Sequence, residues 1–169
     1  METIEAVSLF MELLPKSQEG AMLLPDWMDY VDRVEAGLAG SGVTKPADMR
    51  HRFADGMYMR ECDLLEGDIL TTIPQKKSYS FILLEGSIAI RSEEGIEIAH
   101  APYHKIVPAN SRRIVYSLTD SRAITHHPTQ LTSVTEIQNE LLEWHSNPYL
   151  TDEQKAGMYE DVAIMNLTN

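Results

Sequence analysis

The clearest pattern along the chain is an alternation of apolar and polar residues between Tyr58 and Pro128, which is typical of short β-strands. Turn-forming residues interrupt it at regular intervals, and Asn110 is a candidate for the left-handed backbone conformation. The apolar runs on either side of Glu85-Gly86 predict a tight hairpin, because glycine accepts the positive φ of such a turn. Short strands separated by turn-forming residues at regular intervals predict a closed or double-sheet β-fold. The expected strands are 58–64, 68–73, 79–84, 87–92, 97–101, 105–107, 113–118 and 123–126.

Helical periodicity precedes this segment. Apolar residues from Ile4 to Leu14 recur at helical spacing, and a second stripe runs from Trp27 to Leu38 on a helix that starts near Pro25. Residues 45–56 are polar and predict a connector with one helical turn. Residues 1–57 are therefore expected to form a helical extension before a β-barrel at 58–130.

Helical periodicity also follows the barrel segment. Ser133 is a good N-cap for a helix that continues to Trp144. The sequence Thr151-Asp152-Glu153-Gln154 matches a capping box, and the pattern after it predicts a last helix through Met165. Residues 131–169 are therefore expected to form a C-terminal helical extension.

Charge and composition exclude several classes of protein. The net charge is −12, and the acidic residues lie mostly outside 60–130, so most of the surface would repel a phosphate backbone and nucleic-acid binding is disfavoured. No apolar run is long enough for a membrane span, and the start of the chain lacks a signal-peptide pattern, which predicts a soluble intracellular protein. The one cysteine, Cys62, excludes an intramolecular disulfide and is expected to be a buried thiol.

Several segments resemble the cupin superfamily, the RmlC-like jelly rolls. They are Leu65-Glu66-Gly67-Asp68-Ile69, the run from Phe81 to Ile88, Ala101-Pro102-Tyr103, and the run from Val107 to Arg113. More narrowly, residues 58–129 are similar to small cupin-like proteins of tailed bacteriophages, whose strands end in a segment comparable to His127-Pro128-Thr129. The resemblance implies a mainly β jelly-roll barrel with α-helical N- and C-terminal extensions. It does not fix an activity, because this fold carries many functions.

The resemblance also shows where a metal would be held. Cupin enzymes bind Fe, Mn, Zn or Ni through two His and a Glu of a first motif and a His of a second. The first window here, 72–79, has no His and no carboxylate, with Pro74 and Lys76 near the expected positions, and Arg113 stands where the second His is expected. An arginine cannot donate a lone pair. The sequence thus predicts no metal, no cofactor and no catalytic residue.

Bases and hydroxyls of the barrel segment are candidates for holding a small anionic ligand at its mouth. The alternative is that they are solvated residues at sheet edges. His126 and His127 point to opposite faces of one strand, so at most one faces inward, where it would be either a core residue or a ligand-binding one. The predicted ligand-binding residues are Lys76, Tyr79, Arg113, Tyr116 and His126.

Two roles from different classes fit these observations. The preferred one is a non-catalytic, homo-oligomeric structural or assembly protein of a tailed phage, located in the virion or host cytoplasm, which would contact itself and other phage structural proteins. The apolar helical stripes would make its subunit contacts. The alternative is a small-molecule-binding protein or cupin enzyme acting in the infected host cytoplasm.

Overall fold

The computed structural model describes residues 22–41, 44–46, 48–143, 147–155 and 163–166. The helices with assigned bounds are α1 (Leu24–Gly40) and α2 (Val134–Leu141), and residues 152–155 are also helical. The strands are β1 (Thr44–Pro46), β2 (Asp48–Ala54), β3 (Met57–Leu64), β4 (Asp68–Thr71), β5 (Tyr79–Glu85), β6 (Ser87–Ser92), β7 (Gly95–His100), β8 (Tyr103–Val107), β9 (Ile114–Ser117), β10 (Ser121–Pro128) and β11 (Ala163–Asn166).

The strands form two antiparallel sheets that face each other. The order is β1-β11-β4-β9-β6-β7 in the first sheet and β2-β3-β10-β5-β8 in the second. Their inner faces enclose the main core, which includes Leu64, Leu83, Ile88 and Val107. The prediction of a mainly β, double-sheet fold with flanking helices is confirmed. No helix in the described ranges is long and apolar enough to cross a membrane.

The polar connector predicted at 45–56 is wrong, because this segment contains β1 and β2. Strand β2 pairs with β3 over its whole length, with Asp48 opposite Asp63 and Ala54 opposite Met57. Hydrophobic alternation is weak because β2 lies at a sheet edge and most of its residues are exposed. Charge pairs hold it instead: Arg50 contacts Glu61 at 2.8 Å and Asp63 at 2.6 Å.

The hairpin predicted around Glu85-Gly86 is also wrong in its pairing. Gly86 does take a positive φ of 82°. However, β5 pairs with β10 and β8 in one sheet, whereas β6 pairs with β7 and β9 in the other. The turn at Gly86 therefore carries the chain from one sheet to the other.

Helix α1 packs on the outer face of the six-stranded sheet. Trp27 and Val31 are fully buried there against Ile69, Ala89 and Ile114. The helix predicted from Pro25 to Leu38 is confirmed. Of its apolar stripe, Trp27 and Val31 are covered by the sheet of the same chain, whereas Tyr30, Val34 and Leu38 are half-buried. The subunit contacts expected for this stripe stay a prediction. The helix predicted over Ile4 to Leu14 lies outside the described residues.

A buried polar network holds α1 to the sheet. The Arg112 guanidinium, with 0% of its side chain exposed, forms ion pairs with Asp32 and Glu35 of α1, the second at 2.8 Å. The Trp27 indole N–H donates to the Arg112 carbonyl at 2.9 Å. Asn147 donates from its amide to Glu35 at 2.8 Å, so a residue beyond α2 joins the same network.

Helix α2 begins as predicted, since the Ser133 hydroxyl accepts a hydrogen bond from the Glu136 N–H. The capping box is confirmed as well: the Gln154 N–H donates to Thr151 Oγ1 at 3.2 Å, and the Thr151 N–H donates to Gln154 Oε1 at 2.9 Å. A last helix through Met165 is wrong, because Met165 lies in β11 opposite Thr44 and Ile69. Helix α2 ends at Leu141 and does not continue toward Trp144 as predicted, because Leu142 has an extended backbone and bridges Gln75. Trp144 itself lies outside the described residues.

Candidate functional site

The main candidate site is a cavity of about 130 Å³ between the inner faces of the two sheets. Strands β3, β5 and β10 supply one wall, β4, β6 and β9 the other, and residues 72–75 and α2 complete it. Most of the wall is apolar, as in typical small-molecule sites. The polar groups that face the cavity come from Arg60, Cys62, Thr71, Thr72, Gln75, Tyr79, Arg113, Thr125 and Gln138.

Two arginines give the cavity a positive charge. Arg60 comes from β3 and Arg113 directly precedes β9, and none of the described lining residues is Asp or Glu. Within the described part of the chain, neither arginine forms an ion pair with a carboxylate. Arg113 is 6% exposed and Arg60 is half-buried. The pKa of Glu97 is lowered mainly by the Tyr103 hydroxyl, with a contribution from the Arg113 charge, but Glu97 does not line this cavity. Because burying a cation without an ion-paired carboxylate is costly, the cavity favours an anion.

Arg113 is held in place by aromatic residues. Its Nη2 donates to the Tyr79 hydroxyl at 2.8 Å, and the guanidinium lies 5.5 Å from the centroid of the Phe81 ring. Its backbone N–H donates to Thr72 Oγ1 at 2.8 Å. The buried Nε atom has no hydrogen-bond partner in the part of the chain that the structure describes. Arg113 is therefore oriented by the protein while part of its donor capacity remains unused.

Gln75 is the second polar group with unused capacity. It is 6% exposed and its Oε1 atom has no hydrogen-bond partner among the described residues. The backbone around it is fixed: the Asn110 N–H donates to the Gln75 carbonyl at 2.7 Å, and Gln75 forms a β-bridge with Leu142. The side chain thus remains at the cavity wall next to α2.

The structure brings together two of the five predicted ligand-binding residues, Tyr79 and Arg113. Lys76 is exposed and donates to the Asn139 carbonyl at 3.3 Å, so it does not join Arg113 at the cavity. Tyr116 packs in the cluster under α1. His126 is half-buried and does not line the cavity.

Sequence reasoning missed Arg60 and Gln75. Arg60 lies on the same inner face of β3 as Tyr58, Cys62 and Leu64, because every second residue of a strand points to the same side. Counting in twos from these apolar residues could have identified it. Gln75 lies in the non-strand segment 72–78, where no periodicity indicates direction.

The cavity-facing residues of segment 72–79 are Thr72, Ile73, Gln75 and Tyr79, so the sequence-based placement of Pro74 and Lys76 near ligand positions is corrected. Within the described residues, no group of three or more His, Cys, Asp or Glu side chains is arranged to hold a metal ion. The geometry of the described cavity residues thus fits an organic ligand better than a metal centre.

His127, rather than His126, is the inward-facing histidine of β10. It is 2% exposed, packs against the Tyr58 and Tyr79 rings, and its Nε2 lies 2.8 Å from Thr125 Oγ1. Burial, followed by the nearby charge of Arg60, lowers the pKa of His127 to about 3 from 6.5. The imidazole is therefore neutral in the folded protein near pH 7.

We expect His127 to make the protein acid-sensitive. The unfolded chain binds a proton at this residue first, so the free energy of unfolding should fall as the pH drops from 6.5 toward about 3. Urea unfolding between pH 7 and about pH 5, where most carboxylates are still ionised, should show this slope in the parent protein and a smaller slope in His127→Gln. His126→Gln is the matched control and should keep the slope. An unchanged slope in His127→Gln would contradict the prediction.

Known proteins with a similar structure share little sequence with this chain. No family model matches the sequence, and no curated protein matches it. Similar solved structures include a cupin-2 domain protein from Shewanella frigidimarina (13% identity, TM-score 0.44), ectoine synthase from P. lautus (11%, 0.49) and a cupin superfamily protein from Desulfitobacterium hafniense (10%, 0.43). The matches cover 53%, 64% and 48% of this chain and 88%, 82% and 76% of those chains, respectively.

Proposed function

We propose that this protein binds a small organic anion, of the carboxylate class, in the cavity between its sheets. The observation that carries the proposal is the presence of Arg60 and Arg113 on an otherwise mostly apolar wall, which has no carboxylate among its described residues. Guanidinium groups pair with carboxylates through directional, charge-assisted hydrogen bonds. Among the described residues, the buried Nε atom of Arg113 has no hydrogen-bond partner, so the guanidinium retains donor capacity for such a bond.

The cavity sets the size of the ligand. A bound water needs about 10–15 Å³ of such a volume, so a cavity of about 130 Å³ suits a ligand on the order of ten non-hydrogen atoms. Leu70, Ile88 and Val115 would contact its apolar part. The role is one of binding, since the described cavity residues include no pair of a nucleophile and a base.

Calorimetric titration with butanoate and with the uncharged butanamide tests the proposal. Butanoate should bind and butanamide should bind at least about tenfold more weakly, which corresponds to the loss of about one charge-assisted hydrogen bond. Arg60→Met and Arg113→Met should each lose butanoate binding. Arg33→Met is the control, because Arg33 is an exposed α1 residue paired with Asp29.

Two results would contradict the proposal. One is equal affinity for butanoate and butanamide, which would mean that the arginines do not select charge. The other is full butanoate affinity in Arg113→Met, which would place the anion elsewhere on the protein.

The structural role in a tailed phage is a second proposal. Because the sheet of the same chain covers part of the α1 stripe, the subunit contacts of such an oligomer would also involve other apolar residues, and Ile96, Ile98 and Ile106 on the edge strands β7 and β8 are exposed. An unpaired edge with apolar side chains favours association. The presence of the protein in purified particles would be the test.

A further inference from the structure

Gln75 points to a second chemical requirement of the ligand. Its Oε1 is a strong acceptor that is buried without a donor from the described residues, and leaving such a group unpaired costs about 1–3 kcal/mol. Gln75 lines the same cavity as Arg60 and Arg113. The described part of the protein therefore places an unpaired acceptor on Gln75 and an unpaired donor on Arg113 in the wall of one cavity.

The charge of the cavity decides what kind of donor Gln75 receives. An ammonium group would lie in the same cavity as two guanidinium groups, and like charges in a poorly solvated site repel strongly. A neutral N–H avoids this repulsion and matches a neutral amide acceptor. The neighbouring wall residues Ile73 and Leu142 are apolar and favour a group without charge.

We propose that the anion bound in this cavity carries a neutral N–H, as an N-acyl amino acid does, and that Gln75 accepts its hydrogen bond. This inference rests on the proposed function, because the carboxylate end is held by the arginines. The ligand class then has a carboxylate, a short apolar body and an amide. Gln75 is a specificity-determining residue, because an analogue without the N–H would leave its oxygen unpaired.

Two small probes of nearly equal shape separate the contributions. N-acetylglycine and acetoxyacetate differ in having an amide N–H or an ester oxygen at the same position, and both have eight non-hydrogen atoms, on the order of the cavity's capacity. Calorimetric titration should give at least about tenfold tighter binding of N-acetylglycine, the loss expected when a buried acceptor faces an ester oxygen.

The variant Gln75→Met keeps the length of the side chain and removes the acceptor. It should bind the two probes equally, and its ligand-free form should melt no lower than the parent, because the unpaired oxygen is gone. Gln154→Met is the control, since Gln154 caps the turn at Thr151 away from the cavity, and it should keep the preference.

The outcomes distinguish this inference from the proposed function. If both probes bind the parent protein with equal affinity, the site holds an anion and the inference about Gln75 is wrong; a bound water at Oε1 would then explain the geometry. If neither probe binds, the proposed function fails with it. If Gln75→Met keeps the preference, or if its ligand-free form is clearly less stable than the parent, the carboxamide does not serve the ligand.

Discussion

Replacing Arg112 with Met is expected to destabilise the protein by about 3–5 kcal/mol, the usual cost of removing one partner from a buried ion pair. The side chains of Asp32 and Glu35 are 12% and 5% exposed, so both carboxylates would lose their counterion in a poorly solvated place. Urea unfolding followed by circular dichroism should show a lower midpoint with an unchanged slope.

The same helix provides the control for this prediction. Arg33 and Asp29 form an ion pair at 2.9 Å, but their side chains are 63% and 48% exposed. Removing such a surface pair has little effect on stability, because water screens the two charges. A loss in Arg112→Met as small as that in Arg33→Met would mean that the buried network contributes little to the attachment of α1.

Gly86→Ala is expected to destabilise the fold by about 2–5 kcal/mol. A left-handed residue with a side chain costs about 1–2 kcal/mol, and Gly86 has a φ of 82°. A Cβ atom would also lie 2.3 Å from the Asp120 carbonyl oxygen and 2.8 Å from Ser121 Cα, where overpacking adds about 1–3 kcal/mol. Thermal and urea unfolding would measure the loss.

Gly37→Ala has the opposite expected sign. Gly37 lies within α1, and apart from its chain neighbours and the helix backbone no heavy atom of the described residues is within 4 Å of a Cβ built there. Alanine in a helix is favoured over glycine by about 0.5–1 kcal/mol, so this variant should be more stable.

If Gly86→Ala unfolded at the same midpoint as the parent protein, the turn would not need the positive φ.

The sequence predicted turns and helix ends better than it predicted which β-strands pair with each other. The turn at Gly86 and the cap at Ser133 depend on residues close in the chain, and both were found. The strands beside Gly86 pair with distant strands because each must bury an apolar face within a sheet, and a local alternation pattern does not specify the partner. Strand β2 was missed because it is held by ion pairs rather than by a buried apolar face.

The candidate site was predictable in part for the same reason. Tyr79 and Arg113 were identified from their place in the barrel pattern, and both face the cavity. His126 was predicted to bind the ligand, but His127 is the residue that faces inward. The sequence does not show which of two adjacent strand residues faces inward until the register of β10 with β3 and β5 is known. The prediction that Lys76 faces the site was wrong, because the segment after β4 is not a strand and its side chains do not alternate regularly between two faces.

The position of β11 in its sheet has a consequence for the order of folding. Strand β11 lies between β1 and β4, and β1 has no other partner in the described structure. Because β11 follows all the other described strands in sequence, β1 is synthesised early yet cannot join the sheet until β11 has left the ribosome. This pairing raises the contact order of the domain, and high contact order is associated with slow folding.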